Sequence, residues 1–321
     1  MLDLAISNLS SPLVLCFVLG VFAALARSDL YIPEAVAKGI SIYLLFAIGF
    51  KGGVSVADYG LTGTLLSTIG AGVLLSFLLP LVAFGLLRFL TRLDTVNAAA
   101  VAGHYGSISI VTFVAGTSIL QDAGLVYDGY MVAVAAAMEA PAILSALWLI
   151  GRGQGGRMDA RLWREILLNG SIVLLLGSFL IGYITGEDGM KEIESFIVSP
   201  FKGVLCLFLL DMGIVAGRGI RDGRKMITPG LLAFGVIMPL LGATLALPLA
   251  AALGLSVGTT MLFLVLAASA SYIAVPAAMR VAVPEADPGI YLTLSLGITF
   301  PFNLTLGLPL YLAMAQWISG V

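Results

Sequence analysis

The chain has 321 residues, of which 60% are hydrophobic and only 11% charged, whereas a soluble domain carries roughly 25% charged residues. That composition excludes a water-soluble globule, and a net charge of −2 leaves no basic face for nucleic acid. Cys16 and Cys206 each sit in an apolar run without a CxxC partner, which points to neither a disulfide framework nor a zinc site. Arg27 is the first positive charge and apolar segments continue throughout, so no cleaved leader is expected and the sequence predicts an all-α polytopic membrane protein.

A helix crossing ~30 Å of hydrocarbon needs about 20 mostly apolar residues, and the spacing of charges then predicts ten such helices. The first five run roughly over 10–27, 37–57, 60–88, 95–120 and 127–150. After a polar segment from Gly151 to Glu165, the second five run roughly over 166–185, 197–217, 226–253, 258–279 and 288–318. No charge occurs from Met226 to Met279, a stretch that as one helix would be about 80 Å long. A break is therefore predicted at Gly254-Leu255-Ser256-Val257-Gly258.

Cationic side chains near span ends collect in cytoplasmic loops. Of the 16 cations all but Lys51, Lys191 and Lys202 fall in odd-numbered loops, which predicts that both termini face outward. Five spans per half is odd, so homologous halves must sit in opposite orientations. Four short matches at shifts of 160 to 164 residues support such a repeat: Val18-Leu19-Gly20 with Leu180-Ile181-Gly182, Gly49 to Gly53 with Gly213 to Gly217, Gly106 to Ser109 with Ala268 to Ser271, and Glu139-Ala140-Pro141 with Thr299-Phe300-Pro301.

The fourth and ninth spans hold the most informative residues, Gly103-His104-Tyr105-Gly106-Ser107-Ile108-Ser109 and Ala268-Ser269-Ala270-Ser271-Tyr272-Ile273-Ala274-Val275-Pro276. Clustered glycines, or paired serines followed by proline, favour interruption of a helix, and loose backbone at membrane depth is tolerated only beside protein or a water-filled cavity. Two broken helices aiming their N-terminal amides at one point suit an anion, while hydroxyls and loose carbonyls remain for a cation such as Na⁺. The alternative is that Ser, Gly and Ala there simply allow tight helix packing. Ser107, Ser109 and Ser269 are candidate Na⁺ ligands, with Glu139, Thr299 and Asn303 as further ligands from flanking spans. Glu139 is either a cation ligand or a protonated acid bonded within the bundle, and His104 either shuttles protons or caps the broken backbone. Lys51 and Asp211, in spans two and seven, are expected to form an ion pair, since opposite charges are the cheapest partners at depth.

Phosphate loops, HExxH sites and a GxSxG elbow are absent from the sequence. A Ser107–His104 hydrolase would lack an oxyanion arrangement, so no enzyme is expected. A channel is disfavoured because inverted repeats with broken helices generally bind at the midplane and alternate.

Ser28-Asp29-Leu30, Tyr43-Leu44-Leu45, Ile48-Gly49-Phe50-Lys51-Gly52-Gly53, the Gly103–Ser109 motif and Met138-Glu139-Ala140-Pro141-Ala142 together make the chain resemble the sodium-dependent bicarbonate transporters of the SbtA type. The resemblance implies two inverted five-helix repeats, with a gate domain over 1–59 and 166–225, a core over 60–150 and 226–321, and a cytoplasmic linker over 151–165. It also implies two crossed broken helices, elevator-like movement, a homotrimer in the bacterial cytoplasmic membrane, and a PII-like cytoplasmic regulator. Bicarbonate is then expected at Gly106, Ser107, Ile108 and Ser109 and at Ser269, Ala270, Ser271 and Tyr272. The bile-acid/sodium symporters share this architecture, but a site of Ser, Gly, Ala and dipoles suits a compact anion better than a large amphipathic one.

Overall fold

The structure, a computed structural model, describes residues 10–60, 62–154, 168, 170–222, 228–272, 275–276, 279 and 283–320. Of the features expected from sequence, Ile273, Ala274, Arg157, Arg161, Arg164, Arg224, Lys225 and Arg280 lie outside the described residues. So does most of the linker. Among those described there is no strand, and seven helices are long and apolar enough to cross a membrane.

Helix α1 (Pro12–Leu25) starts on Ser11, whose hydroxyl accepts from the Val14 amide at 3.3 Å, with proline at its first position, where a missing N–H costs nothing. After Pro33 come α2 (Glu34–Tyr59) and then α3 (Gly63–Leu90), the latter capped by Thr62. Next are α4 (Thr95–Gly106) and α5 (Ile110–Asp122), which form the fourth span with an interruption at Ser107-Ile108-Ser109. α6 (Met131–Ala137) and α7 (Glu139–Gln154) follow. Pro141 has no N–H to offer the Ala137 carbonyl, and α6 ends at Ala137.

α8 (Gly170–Ile197) departs from the expected pattern. The chain turns at Gly186 (φ 57°) and re-forms a helix where charge density predicts a loop. Met190, Ile193 and Ile197 pack on Phe46, Ala47, Phe50 and Val54, while Glu187, Asp188 and Lys191 face outward. One apolar face with a charged opposite face is the pattern of a surface helix, not of a coil. α9 (Phe201–Asp222) and α10 (Pro229–Ala252) lead to a left-handed Gly254 (φ 64°), which turns the chain into α11 (Val257–Ala267). The long uncharged stretch is thus divided at the expected place. α12 (Pro288–Ser319) widens into π-helix at Thr293–Thr299 and Asn303–Gly307, which contain Gly297 and Thr305, the residues whose carbonyls Pro301 and Pro309, four positions on, have no N–H to serve.

α1 packs on α9 and α2 on α8. Both crossings rest on glycine. A Cβ on Gly20 would strike the Leu210 carbonyl and lie 2.8 Å from the Ile214 amide, and one on Gly53 would strike the Phe179 carbonyl and lie 2.6 Å from the Tyr183 amide. Such contact lets backbones approach as in small-xxx-small pairs. The remaining helices form a second group in which α4, α10 and α11 pack against α3, α4 against α7, and α11 against α12.

The start of α4 is fixed by a polar relay outside the apolar part of the span. Asp94 accepts from the Asn97 amide at 2.9 Å and its side chain at 2.7 Å, and Asn97 Oδ1 accepts from the Asp287 amide at the head of α12 at 2.8 Å. The Asn97 hydrogen bonds, backbone first, hold the Asp94 carboxyl below its ordinary range. Its stabilising effect is therefore present above pH ~4 and fades as pH falls through the lower folded value. Asp94→Ala is expected to lose about 1 kcal/mol at pH 7. In thermal unfolding, the gap between the two proteins should close on acidification.

Candidate functional site

Gly106 ends α4 against the ring of Pro80 and the Ser76 carbonyl, with no room for a side chain between. Ser107 is extended (φ −87°, ψ 171°), and helix resumes at Ile110 because the Ser109 hydroxyl accepts from the Thr112 amide at 3.2 Å and the Thr112 hydroxyl at 2.9 Å. The chain after α11 also leaves the helix at the serine motif. α11 stops at Ala267, and the Ser269 hydroxyl folds back onto the Val265 carbonyl and the Leu266 carbonyl (3.2 Å). Ser271 then accepts from the Val275 amide at 3.4 Å.

The two interruptions touch. The Ser271 amide donates to the His104 carbonyl at 2.7 Å, so an orphan carbonyl at the end of α4 is satisfied by the other broken span. Gly106, Ser107, Ile108, Ser109, Ser269, Ala270, Ser271 and Tyr272 are all buried at this crossing. Ser107 Oγ is buried there without a protein hydrogen-bond partner, and the Tyr272 hydroxyl is buried toward the Ser109 hydroxyl. The amide end of α5 faces the crossing and contributes about half a positive charge. A hydroxyl beside loose backbone and a positive helix end is chemistry for a small oxyanion and a weakly bound cation.

His104 does not cap the break. Its Nδ1 donates to the Ala100 carbonyl at 2.7 Å inside α4, and its ring stacks on Tyr291 at 4.4 Å, leaving Nε2 without a partner. Two of the expected cation ligands have structural work. Thr299 donates to the Gly235 carbonyl (2.7 Å) and is bonded to the Tyr105 hydroxyl (2.6 Å), tying α12 to α10 and α4. Asn303 donates from Nδ2 to the Ala268 carbonyl (2.8 Å) and accepts from the Tyr311 hydroxyl (2.7 Å), so it holds the second break from behind. Glu139 is buried with Oε2 unpartnered, beside Met138, whose carbonyl accepts from the Ser76 hydroxyl. No hydrogen bond joins Glu139 to either break among the described residues. Tyr105 lies in the motif singled out from sequence but has no role assigned there, and Tyr311 is not named from sequence. Tyr311 was detectable in principle, eight residues and about two turns after Asn303 on one helix.

The ion pair expected between Lys51 and Asp211 is not formed. Lys51 Nζ sits 4.3 Å from the Phe201 ring centroid at the head of α9. Asp211 is ten residues, about 15 Å, further along that helix. Cation–π contact replaces the carboxylate as the partner of the ammonium. Substituting Lys51→Met and Asp211→Leu should therefore give stability changes that add to within about 0.5 kcal/mol in a double-mutant cycle. Lys51 and Phe201 instead line a cavity of about 110 Å³ that also meets Thr117, Gln121 and, in the first turn of α5, Phe113.

No curated protein matches the chain. A family model described as the Na⁺-dependent bicarbonate transporter superfamily matches residues 12–316.

Proposed function

The chain belongs to the Na⁺-dependent bicarbonate transporter superfamily, and from that premise we propose that it takes up bicarbonate with Na⁺ by alternating exposure of the two crossed helix breaks. The observation that carries this reading is the 2.7 Å bond from the Ser271 amide to the His104 carbonyl, which sets the Ser107 hydroxyl and the head of α5 at one buried point. Bicarbonate binds Gly106, Ser107, Ile108 and Ser109 from one side and Ser269, Ala270, Ser271 and Tyr272 from the other. Na⁺ sits beside it on Ser107, Ser109 and Ser269, because helix ends supply only partial charge against a full anion. Glu139, Thr299 and Asn303 complete the surroundings.

Two inverted five-helix repeats explain why features recur at one spacing. The caps Asp94 and Ser256 lie 162 residues apart, as do Ser109 and Ser271, and as do the close-contact glycines Gly20 and Gly182. The α1–α9 and α2–α8 pairs form the gate, and the other helices form a core that slides against it in an elevator-like movement. The cavity along α5, with Lys51 as its cation, lies where anions approach from outside. Homotrimers in a bacterial cytoplasmic membrane, both termini outside, and a PII-like cytoplasmic regulator complete the proposal.

Reciprocal linkage tests it. A ligand that binds only the native state raises its melting temperature, and a coupled cation must strengthen that effect. Bicarbonate at fixed pH should raise the melting temperature of the purified protein in Na⁺ and leave it unmoved in choline. An equal rise in both buffers would overturn coupling at this site.

A further inference from the structure

At the opposite end of the gate helices from Lys51, α1 finishes in an unusual way. The Ser28 amide donates to the Ala23 carbonyl at 2.9 Å and the Arg27 amide to the Ala24 carbonyl at 3.3 Å, the paired bonds of a Schellman turn. The residue between them must be left-handed, and glycine normally takes that place because it has no Cβ to clash. Here it is Arg27, at φ 57° the one non-glycine residue with positive φ among those described. A side chain held at a glycine position implies a use for that side chain.

Arg27 lines an open cavity of about 760 Å³ together with Ser28, Arg218 and Arg221. Arg218 and Arg221 are one turn apart in the last stretch of α9, and both reach across to the end of α1. Arg221 donates to the Ala24 carbonyl at 3.0 Å and Arg218 to the Leu30 carbonyl at 3.5 Å. Arg218 feels the charge of Asp211 two turns back on α9, but neither it nor Arg27 has a carboxylate within ion-pair distance among the described residues. Arg27 and Arg218 on one concavity repel each other unless an anion lies between them. Cytoplasmic topology asks for cations near span ends, but neither for a common cavity nor for an arginine where glycine fits better. Arginine's planar fork matches phosphate oxygens two at a time, and Ser28 adds a hydroxyl.

We propose that Arg27, Ser28, Arg218 and Arg221 form a binding site for a phosphate-bearing anion, separate from the crossed helix breaks. The phosphate belongs either to the headgroup of an anionic phospholipid or to a soluble phosphate. Because the arginines come from α1 and α9, the bound anion clamps these two helices together on the membrane face where both end.

Thermal unfolding of the purified full chain in a neutral detergent tests this. One arm titrates short-chain phosphatidylglycerol against phosphatidylcholine of the same chain length, and the other titrates inorganic phosphate against chloride at equal ionic strength. A rise with phosphatidylglycerol alone assigns a lipid, and a rise with phosphate assigns a soluble anion. In either case Arg218→Gln and Arg27→Gly should raise the half-saturating concentration at least tenfold. Without ligand, Arg27→Gly should melt at or above wild type, since glycine suits the turn. If Arg27→Gly fails to fold, Arg218→Gln alone decides. No rise with either phosphate source, a rise matched by phosphatidylcholine or chloride, or an unchanged response in Arg218→Gln would overturn the proposal.

Discussion

Replacing Ser107 with alanine is expected to raise the bicarbonate concentration for half-maximal uptake at least tenfold while leaving thermal stability near wild type. The Ser107 hydroxyl is 1% exposed and has no partner in the protein, so its removal breaks no internal hydrogen bond. A hydroxyl that bonds a charged ligand is worth about 1.5–3 kcal/mol, and each 1.4 kcal/mol is about tenfold in affinity. Ser271→Ala should weaken uptake too, but with a stability loss, because that hydroxyl also accepts from the Val275 amide. Wild-type affinity in Ser107→Ala would mean that the paired serines serve packing only.

Gly106→Ala should have the larger effect on the fold. The added Cβ would overlap the Pro80 ring and lie 2.7 Å from the Ser76 carbonyl. Neither the ring of a proline within α3 nor a helix carbonyl yields cheaply. Overpacking of this kind costs roughly 1–3 kcal/mol, and the displacement falls directly on Ser107. Uptake is expected to be lost, with a clear fall in melting temperature. Gly85→Ala on the same α3 is the control: nothing lies within 4 Å of a Cβ there, and alanine favours helix over glycine by up to about 1 kcal/mol. That variant should melt at or above wild type, and equal losses in both would remove the steric argument.

The breaks were legible because their causes are local. Gly106, the serine caps Ser109 and Ser271, and the proline Pro141 act within one turn of themselves, and so their consequences can be read from neighbouring letters. The division at Gly254 was legible from length instead, since an uncharged stretch too long for one helix must break and the glycines and serine at 254–258 mark where. Lys51 was misread because its partner depends on how far α2 and α9 are offset along their axes, which no local pattern encodes. The helix after Gly186 was missed for a different reason. Its charges outnumber its apolar residues, and only the contact of Met190, Ile193 and Ile197 with Phe46 and Phe50 makes it a helix with an inside. Thr299 and Asn303 were recognised as buried polar residues of α12, but their hydrogen bonds to Gly235 and Ala268 come from helices brought alongside by the fold.

Uptake of labelled bicarbonate into proteoliposomes of the purified chain, at fixed pH with an inward Na⁺ gradient and again with Na⁺ replaced by choline, tests the central claim most directly. Accumulation above equilibrium in Na⁺ and none in choline is the predicted result. Accumulation that is the same in both buffers would contradict coupling to Na⁺ and with it the assignment of the crossed breaks as a shared site for anion and cation.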